Sequence, residues 1–398
     1  MKIVYFNYMW DLWGASIGST IKALEILKAL ANCGHEVKDY WMRDDLSRKV
    51  FASNGDGNSS SMRDVLKTHL SRYLHEPNQL LKNFDSLKRE TEILEQEKPD
   101  LVIARLDVFV YSPVKLSKKF KIPFIIEIDS PRSYEKIKYQ TEYRVTKSLL
   151  RWMEIKFIES GKAGFSVSRK IKEHFVNRGV PDDFITVIPN GADVDRFSPE
   201  ISSTQVREKY DLRESVVVGF VGSFIFWHGV ENLTSIIKNN LSKYDNVKFL
   251  MVGQGGPLEP LLKKFVSDNK FEEQVIFTGH VPHDDVPQYI SAMDILLAPY
   301  PDIDFFYYSP VKIYEYMSCG KPVISTKIGQ IAELIEDGKT GFLTKPNDIK
   351  KISSRISDLI ENQKLREQVG KAARAEILKN HTWKKRGEQL ARLCEKFV

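Results

Sequence analysis

Residues 216–231 read VVVGFVGSFIFWHGVE. Six apolar or small residues in a row predict a strand buried on both faces. Gly222-Ser223 ends it, and His228-Gly229-Val230-Glu231 opens a helix. An almost wholly apolar strand feeding a helix through a glycine turn is the unit of a parallel sheet covered by helices on both sides. The unit recurs downstream, with apolar runs at Val247–Val252, Val275–Thr278, Ile295–Ala298 and Pro322–Ser325, each followed by a helical segment. It recurs upstream too. Residues 2–6 (KIVYF) precede helical spacing from Ile17 to Ala31, with Ile21, Leu24, Ile26, Leu27 and Leu30 as the apolar positions and Gly34 as the stop. Further strands are expected at His35–Tyr40, Asp100–Ala104, Pro123–Ile128, Gly164–Val167 and Ile185–Ile188. The fold class is therefore α/β, with two doubly wound, Rossmann-like parallel-sheet domains in series. Such sheets bind ligands beyond the carboxyl ends of their strands, here in a cleft between the two.

Bulk composition agrees. The 398 residues exceed one ordinary core and suit two domains of roughly 200 residues. With 42% hydrophobic and 28% charged residues the chain is globular rather than disordered. A formal charge of +6 suits an anionic substrate or surface and does not mark a dedicated nucleic-acid binder. Cys33, Cys319 and Cys394 lie far apart with no CxxC, which points away from a disulfide framework or zinc site and towards a reduced, cytoplasmic compartment. No run reaches the ~18 apolar residues that span a bilayer, and the N-terminal apolar run is too short for a signal peptide.

Two stretches depart from the alternation. Residues 52–61 (ASNGDGNSSS) read as a solvated loop within the first domain. Residues 135–160 read as one long basic helix, and the basic segment 132–151 has two uses: a solvated face, or contact with an anionic membrane that presents a lipid-linked acceptor.

The chemistry is expected at glycine-bearing strand-to-helix turns: Gly14 and Gly18 after the first strand, Gly222-Ser223, Gly253-Gln254-Gly255-Gly256, and the Ser309-Pro310-Val311-Lys312 helix start. Glycine lets the backbone approach phosphate, and free N–H groups at a helix start attract its charge. Ser309 is placed as an N-cap or a phosphate donor. The ordinary role of such glycines is chain geometry, so one alone decides nothing. Gly253–Gly256 lacks a G-x-G-x-x-G with a matching acid, which argues against a nicotinamide cofactor.

Six ordered motifs resemble the GT-B fold, retaining glycosyltransferases of family 4 (glycosyl transferases group 1). Pro189–Phe197 (PNGADVDRF) resembles the hinge. Phe220-Val221-Gly222-Ser223 with Trp227-His228-Gly229-Val230 resembles the donor-phosphate loop, and Val252–Gly255 the next turn. Val275–Pro282 (VIFTGHVP) resembles the loop that contacts the base, and Ser309–Val323 (SPVKIYEYMSCGKPV) the signature helix. Gly329 with Glu333–Ile335 and Gly338–Leu343 completes the set. The first half resembles the family more weakly.

The resemblance implies an acceptor-binding domain over 1–195, a donor-binding domain over 196–380, and a final helix, 381–398, packing back on the first domain. It implies a cytoplasmic, metal-independent, retaining glycosyltransferase of glycan, polysaccharide or glycoconjugate biosynthesis. The donor would be a nucleotide sugar (UDP first, GDP second) and the acceptor a saccharide, a lipid-linked or a small molecule, with no cofactor beyond that co-substrate and no nucleic acid. A peripheral seat on the inner membrane face is the corresponding location. Its reaction would run on one face of the sugar, the leaving phosphate helping to deprotonate the acceptor.

Residue roles follow. His228 and Lys312 would stabilise charge on the leaving diphosphate, with an imidazole at 228 able to donate when neutral and to add a full charge when protonated. Glu315 would accept from two ribose hydroxyls. Gly14, Ser223, Gly253, Ser309, Pro310 and Val311 would line the phosphates, and His280 and Val281 the base. The family often has two acids with seven residues between them. Here Tyr307 stands at the first place and Glu315 at the second, leaving Asp304, or Asp302, to meet the sugar. Ser223 and His228 likewise replace an Arg and a Lys. On the acceptor side Asp129 stands where many members have His, with Arg105 and Glu127 at neighbouring strand ends. His280, His283, Asp284 and Asp285 fall in the base loop rather than in a metal site. Two rivals remain open: a nucleotide-sugar epimerase or hydrolase on the same fold, and a catalytically inactive nucleotide-binding subunit.

Overall fold

The computed structural model describes residues 1–8, 17–42, 80–81, 83–139 and 147–398. The chain divides into two compact units. Unit 1 comprises Met1–Pro189 with Arg386–Val398, and unit 2 is Asn190–Lys385.

Unit 1 holds β1 (Lys2–Asn7), β2 (Glu36–Trp41), β3 (Leu101–Arg105), β4 (Phe124–Ile128), β5 (Ala163–Ser166) and β6 (Ile185–Val187). They form one parallel sheet in the order β2-β1-β3-β4-β5-β6. β1, β3 and β4 are buried along almost their whole length, as their unbroken apolar runs require. The helix Ile17–Ala31 follows β1 and buries Ala23, Ile26, Leu27 and Leu30. Lys22 lies on that same face, four residues before Ile26, and is buried with them. Leu390, Leu393 and Cys394 of the last helix are also buried.

The basic stretch is helical over Arg132–Tyr139 and Lys147–Ile158, so the first helix starts three residues before the expected 135. It is not a uniformly solvated face. Arg132 pairs with Asp107 and Glu135, and Lys136 is buried, while Lys147, Arg151 and Trp152 are exposed. Arg144, Gly14 and the loop at 52–61 lie outside the described residues. Among the described residues no helix is long and apolar enough to cross a membrane.

Unit 2 holds β7 (Val216–Val221), β8 (Val247–Val252), β9 (Val275–Gly279), β10 (Ile295–Ala298), β11 (Val323–Thr326) and β12 (Phe342–Thr344). The sheet is parallel, ordered β12-β11-β10-β7-β8-β9. Alternate residues feed two cores. Val217, Leu250 and Leu296 pack to one side with Ile313, Tyr314 and Met317. Val218, Phe249 and Ile295 pack to the other with Leu233, Ile236 and Ile356. Each fully buried aliphatic or aromatic side chain is worth about 1.5–3 kcal/mol, so these two layers hold the strand ends firmly. β7 starts the unit, and β10, reached after β9, pairs on its other edge. The strand order therefore reverses between β7 and β10, and the carboxyl ends of these two strands form the expected ligand crevice of the unit.

Candidate functional site

Beyond β7 the backbone turns at Gly222, whose φ of 143° favours glycine. A Cβ there would meet the Lys312 Nζ at 2.7 Å, with the His228 Nδ1 at 3.4 Å. Two basic side chains from separate elements thus converge on one bare backbone position. His228 belongs to the short turn Phe226–His228, after which Gly229 leads into the helix Val230–Leu241. Lys312 stands in the first turn of the helix Val311–Ser318. Gly229 lies against the Pro299 carbonyl just past β10, so the site sits at the strand-order reversal.

Both basic groups are held short of their full charge. Lys312 lies over the rings of Phe220 (4.7 Å) and Tyr300 (5.9 Å). Burial pushes its amine down to about 7, against the opposing pull of Glu315. Burial first, and Lys312 second, push the His228 imidazole down to about 3. His228 Nδ1 lies 2.8 Å from the Ser223 carbonyl. A carbonyl only accepts, so Nδ1 carries the hydrogen. This corrects the expectation that neutral His228 donates to an incoming group: Nδ1 spends its hydrogen on Ser223, and Nε2 donates only when the ring is protonated.

The helix Val311–Ser318 is tied down at both ends. The Tyr316 hydroxyl accepts from the Val221 N–H at 2.8 Å, fixing the helix to the end of β7. Arg374 donates to the carbonyls of Val194, Phe197 and Ser318, each at 2.9 Å. Ser309 is not the N-cap; Pro310 is, with no side-chain cap bond. The Ser309 hydroxyl is buried, accepts from the Asn190 N–H at 3.2 Å and shares a hydrogen with Tyr314 at 3.2 Å. It anchors the 190–197 loop to the helix start. Glu315 is buried to 7% exposure and accepts from His283 Nε2 at 2.9 Å.

The other donor-side candidates spread around this centre. Gly253 donates its N–H to the Gly279 carbonyl at 3.1 Å. His280 is exposed, its N–H donating to Gln254 Oε1 at 3.3 Å, and Val281 is half-buried. Pro310 and Val311 are partly exposed at the helix start. Tyr307 is buried and stacks on Tyr308 with centroids 4.2 Å apart. Asp302 and Asp304 are exposed.

In unit 1 the candidates form a buried charge cluster at the ends of β3 and β4. Lys22 bonds to Glu127 Oε1 and lies 3.1 Å from Asp129 Oδ1, and Arg105 reaches Asp129 Oδ2 at 2.5 Å. Arg105 also donates to the Ser19 hydroxyl at 2.6 Å. Glu127 is wholly buried, with Tyr5 donating to Oε2 at 2.6 Å. Both its oxygens are occupied inside the protein, so the acceptor-contact reading of Glu127 gives way to one in which it holds Lys22 and Tyr5. Burial pushes the Asp129 carboxyl up, but Lys22 and Arg105 outweigh it and hold the group well below the usual carboxylate range. A carboxylate so strongly stabilised is a weak proton acceptor. Arg105 is buried to 1% exposure, and its Nε has no partner among the described residues.

Sequence reasoning passed over several of these residues. Phe220, Tyr316 and Arg196 stand inside the quoted motifs and His283 in the base loop, but their spacing assigned them none of these contacts, and Tyr300 stands in no motif. Lys22 did leave a signal, a lysine in register with a buried helical face. Among the described residues no three His, Cys, Asp or Glu side chains are grouped to hold a metal.

Comparison with known proteins agrees with the fold. Residues 18–196 match the model of Glycosyltransferase Family 4, and residues 202–376 that of Glycosyl transferases group 1. A GDP-mannose-dependent alpha-(1-6)-phosphatidylinositol monomannoside mannosyltransferase of Mycolicibacterium smegmatis is 28% identical over 234 residues. That match spans 57% of this chain and only 60% of the relative's own length. Among solved structures, the fold is similar to that of Anabaena HepE in complex with UDP and glucose, with a TM-score of 0.73 at 19% identity over 99% of both chains. Sucrose-phosphate synthase of Thermosynechococcus elongatus gives a TM-score of 0.74 at 17% identity, covering all of this chain and 98% of the other.

Proposed function

This chain belongs to the group 1 glycosyltransferases with the GT-B fold, and on that premise we propose that it transfers a sugar from a nucleoside diphosphate donor held by unit 2. The observation that carries the reading is the convergence of Lys312 and His228 over Gly222 at the strand-order reversal. A diphosphate leaving group gains negative charge as the glycosidic bond breaks. A bare backbone turn with two basic side chains suits that charge, and most of the stabilisation is pre-set because both side chains are already in place. Glu315, an acceptor with one oxygen uncommitted, suits ribose hydroxyls. Tyr307 and the exposed Asp304 border the sugar side.

The reaction is read as retaining and metal-independent, with no cofactor beyond the nucleotide sugar. The charge that a divalent ion would offset is assigned to Lys312 and to the N–H groups at the Val311 helix start, with His228 adding to it once the diphosphate draws a proton onto its neutral ring. In unit 1, Asp129 and Arg105 are read as acceptor-side groups for a saccharide or lipid-linked hydroxyl, with Asp129 orienting it rather than removing its proton. The donor base is uridine or guanosine, and the name of the mycobacterial relative supplies a GDP case.

Calorimetric and thermal titration with UDP and GDP tests the assignment, because a ligand at a hundred times its dissociation constant stabilises a fold by ~2.7 kcal/mol. One of the two is expected to bind, and Glu315→Ala is expected to weaken it at least tenfold while the variant stays folded. Transfer from the matching donor should require an acceptor and survive excess chelator. Binding of neither nucleotide rejects the function. Donor consumed in water at the full rate replaces it with hydrolysis, and activity lost to chelator and restored by magnesium or manganese rejects metal independence.

A further inference from the structure

Glu315 has one carboxylate oxygen committed and one open. Oε1 accepts from His283 Nε2 at 2.9 Å, while Oε2 has no protein partner among the described residues. On the far side of the ring, His283 Nδ1 lies 3.1 Å from an Arg196 guanidinium nitrogen. A guanidinium only donates. Nδ1 must therefore present its lone pair, and the ring hydrogen must sit on Nε2, aimed at Glu315. Arg196 is itself held by the Asp284 carboxylate, and the His283 ring packs on Phe197 at 5.4 Å between centroids. Arg196 and Phe197 end the 190–197 loop, which Ser309 and Arg374 bind to the same helix as Glu315. The orientation of one carboxylate is thus fixed from outside its own helix.

This matters because of Lys312. It stands three positions before Glu315 on one helix, a spacing at which a lysine and a glutamate readily pair. Yet no ion pair joins them: Lys312 lies over Phe220 instead, and Glu315 is drawn to His283. A direct pair would spend the ribose acceptor and the phosphate cation on each other.

We propose that His283 is a positioning residue for the nucleotide. Fixed in one tautomer by Arg196, it holds Glu315 away from Lys312, so that Oε2 faces the ribose hydroxyls while the lysine stays available for phosphate. The proposal rests on the ribose role given to Glu315 above. A carboxylate already oriented loses less rotamer freedom when it binds, which is where the affinity comes from.

The test compares UDP and GDP with their 2′-deoxy forms by calorimetry, on wild type, His283→Ala, His283→Leu and His283→Gln. Thermal melts establish that each variant is folded, and the leucine variant keeps the contact with Phe197 should alanine fail to fold. The wild type should prefer the ribonucleotide about tenfold. Removing the imidazole should shrink that preference to about two- to threefold. Gln, whose amide donates and whose carbonyl accepts, should restore most of it. In a Glu315→Gln background, His283→Ala should have no further effect on the preference. Folded His283→Ala or His283→Leu with the full preference overturns the proposal, as does an equal loss in the Glu315→Gln background. A wild type that binds a nucleotide without preferring ribose removes the ribose role of Glu315 and the proposal with it. A wild type that binds neither nucleotide removes the functional reading as well.

Discussion

Lys312→Met separates what the lysine costs the fold from what it gives the ligand. Methionine is unbranched and one atom shorter, keeps an apolar chain against the Phe220 and Tyr300 rings, and removes the charge. In the free protein the amine is depressed from 10.5 to about 7. Such a depression corresponds to about 5 kcal/mol against the charged form. The side chain is only partly enclosed, so relaxation of solvent brings the expected penalty to about 1–3 kcal/mol. The direction with pH follows from the two states. The unfolded lysine is protonated up to about 10.5, while the folded one loses its proton near 7. Between these values the unfolded chain binds more protons, so wild-type stability rises with pH across this window, and the penalty is full below 7. Lys312→Met should therefore melt higher than wild type at pH 6, and its advantage should shrink by pH 9. Nucleotide binding should show the reverse. At pH 8 about nine-tenths of a lysine with a pKa near 7 is uncharged, so a diphosphate that recharges it takes up nearly one proton. Calorimetry in buffers of different ionisation enthalpy counts that proton, and the methionine variant should lose both the uptake and most of the affinity. A methionine variant less stable than wild type at pH 6, with proton uptake on UDP binding unchanged, would refute the reasoning.

The remaining predictions concern neighbouring groups. His228→Ala should lower kcat by ~10²–10³ and weaken donor binding much less, because the ring, neutral in the free protein, is drawn into its charged form by the charge that develops as the bond breaks; steady-state kinetics with a near-normal kcat would return the residue to a turn-forming role. Gly222→Ala places a methyl in a strained conformation against Lys312, and should abolish nucleotide-induced stabilisation in a thermal-shift assay while the fold persists. In unit 1, burial pushes the Glu90 carboxyl up to about 8, partly offset by hydrogens from Ser112 at 2.6 Å and Tyr8 at 3.0 Å. The unfolded group ionises near 4.5, so this site loses stability as pH rises from there to about 8. Glu90→Gln should flatten that decline in a pH series of melts, and an unchanged slope would contradict it.

The sheets could be read from sequence because a parallel strand buried on both faces writes its apolar run locally. β7, β8 and β10 carry the bounds expected of them, and the other expected strands shift by one residue at one or both ends. β12, three residues long, was too short to register as a strand within its motif. The backbone parts of the site were legible for the same reason: Gly222 and the helix start at Val311 mark turns in the chain itself. Contacts across the sequence were not. His283 is 32 residues from Glu315, and Val221 is 95 from Tyr316. Nothing in VPHDDVP says which way its histidine turns. The choice of tautomer at His228 was equally hidden, because it depends on one carbonyl five residues away. Glu127 misled because a strand-end acid looks the same in sequence whether it faces an open crevice or is sealed by a lysine and a tyrosine.

Unit 1 is assembled from two separated pieces of chain, with the whole of unit 2 between them. A ribosome delivers the first piece early, yet the segment carrying Leu390, Leu393 and Cys394 emerges only after residues 190–385 are all available to fold. The unit begun first is therefore finished second. Until residues 386–398 emerge, the unit with the charge cluster of Lys22, Arg105, Glu127 and Asp129 lacks part of its apolar cover, while unit 2 already has its full sequence. Synthesis and completion run in opposite orders for these two units, and a chain stopped near residue 385 holds the whole sequence of one and lacks part of the other.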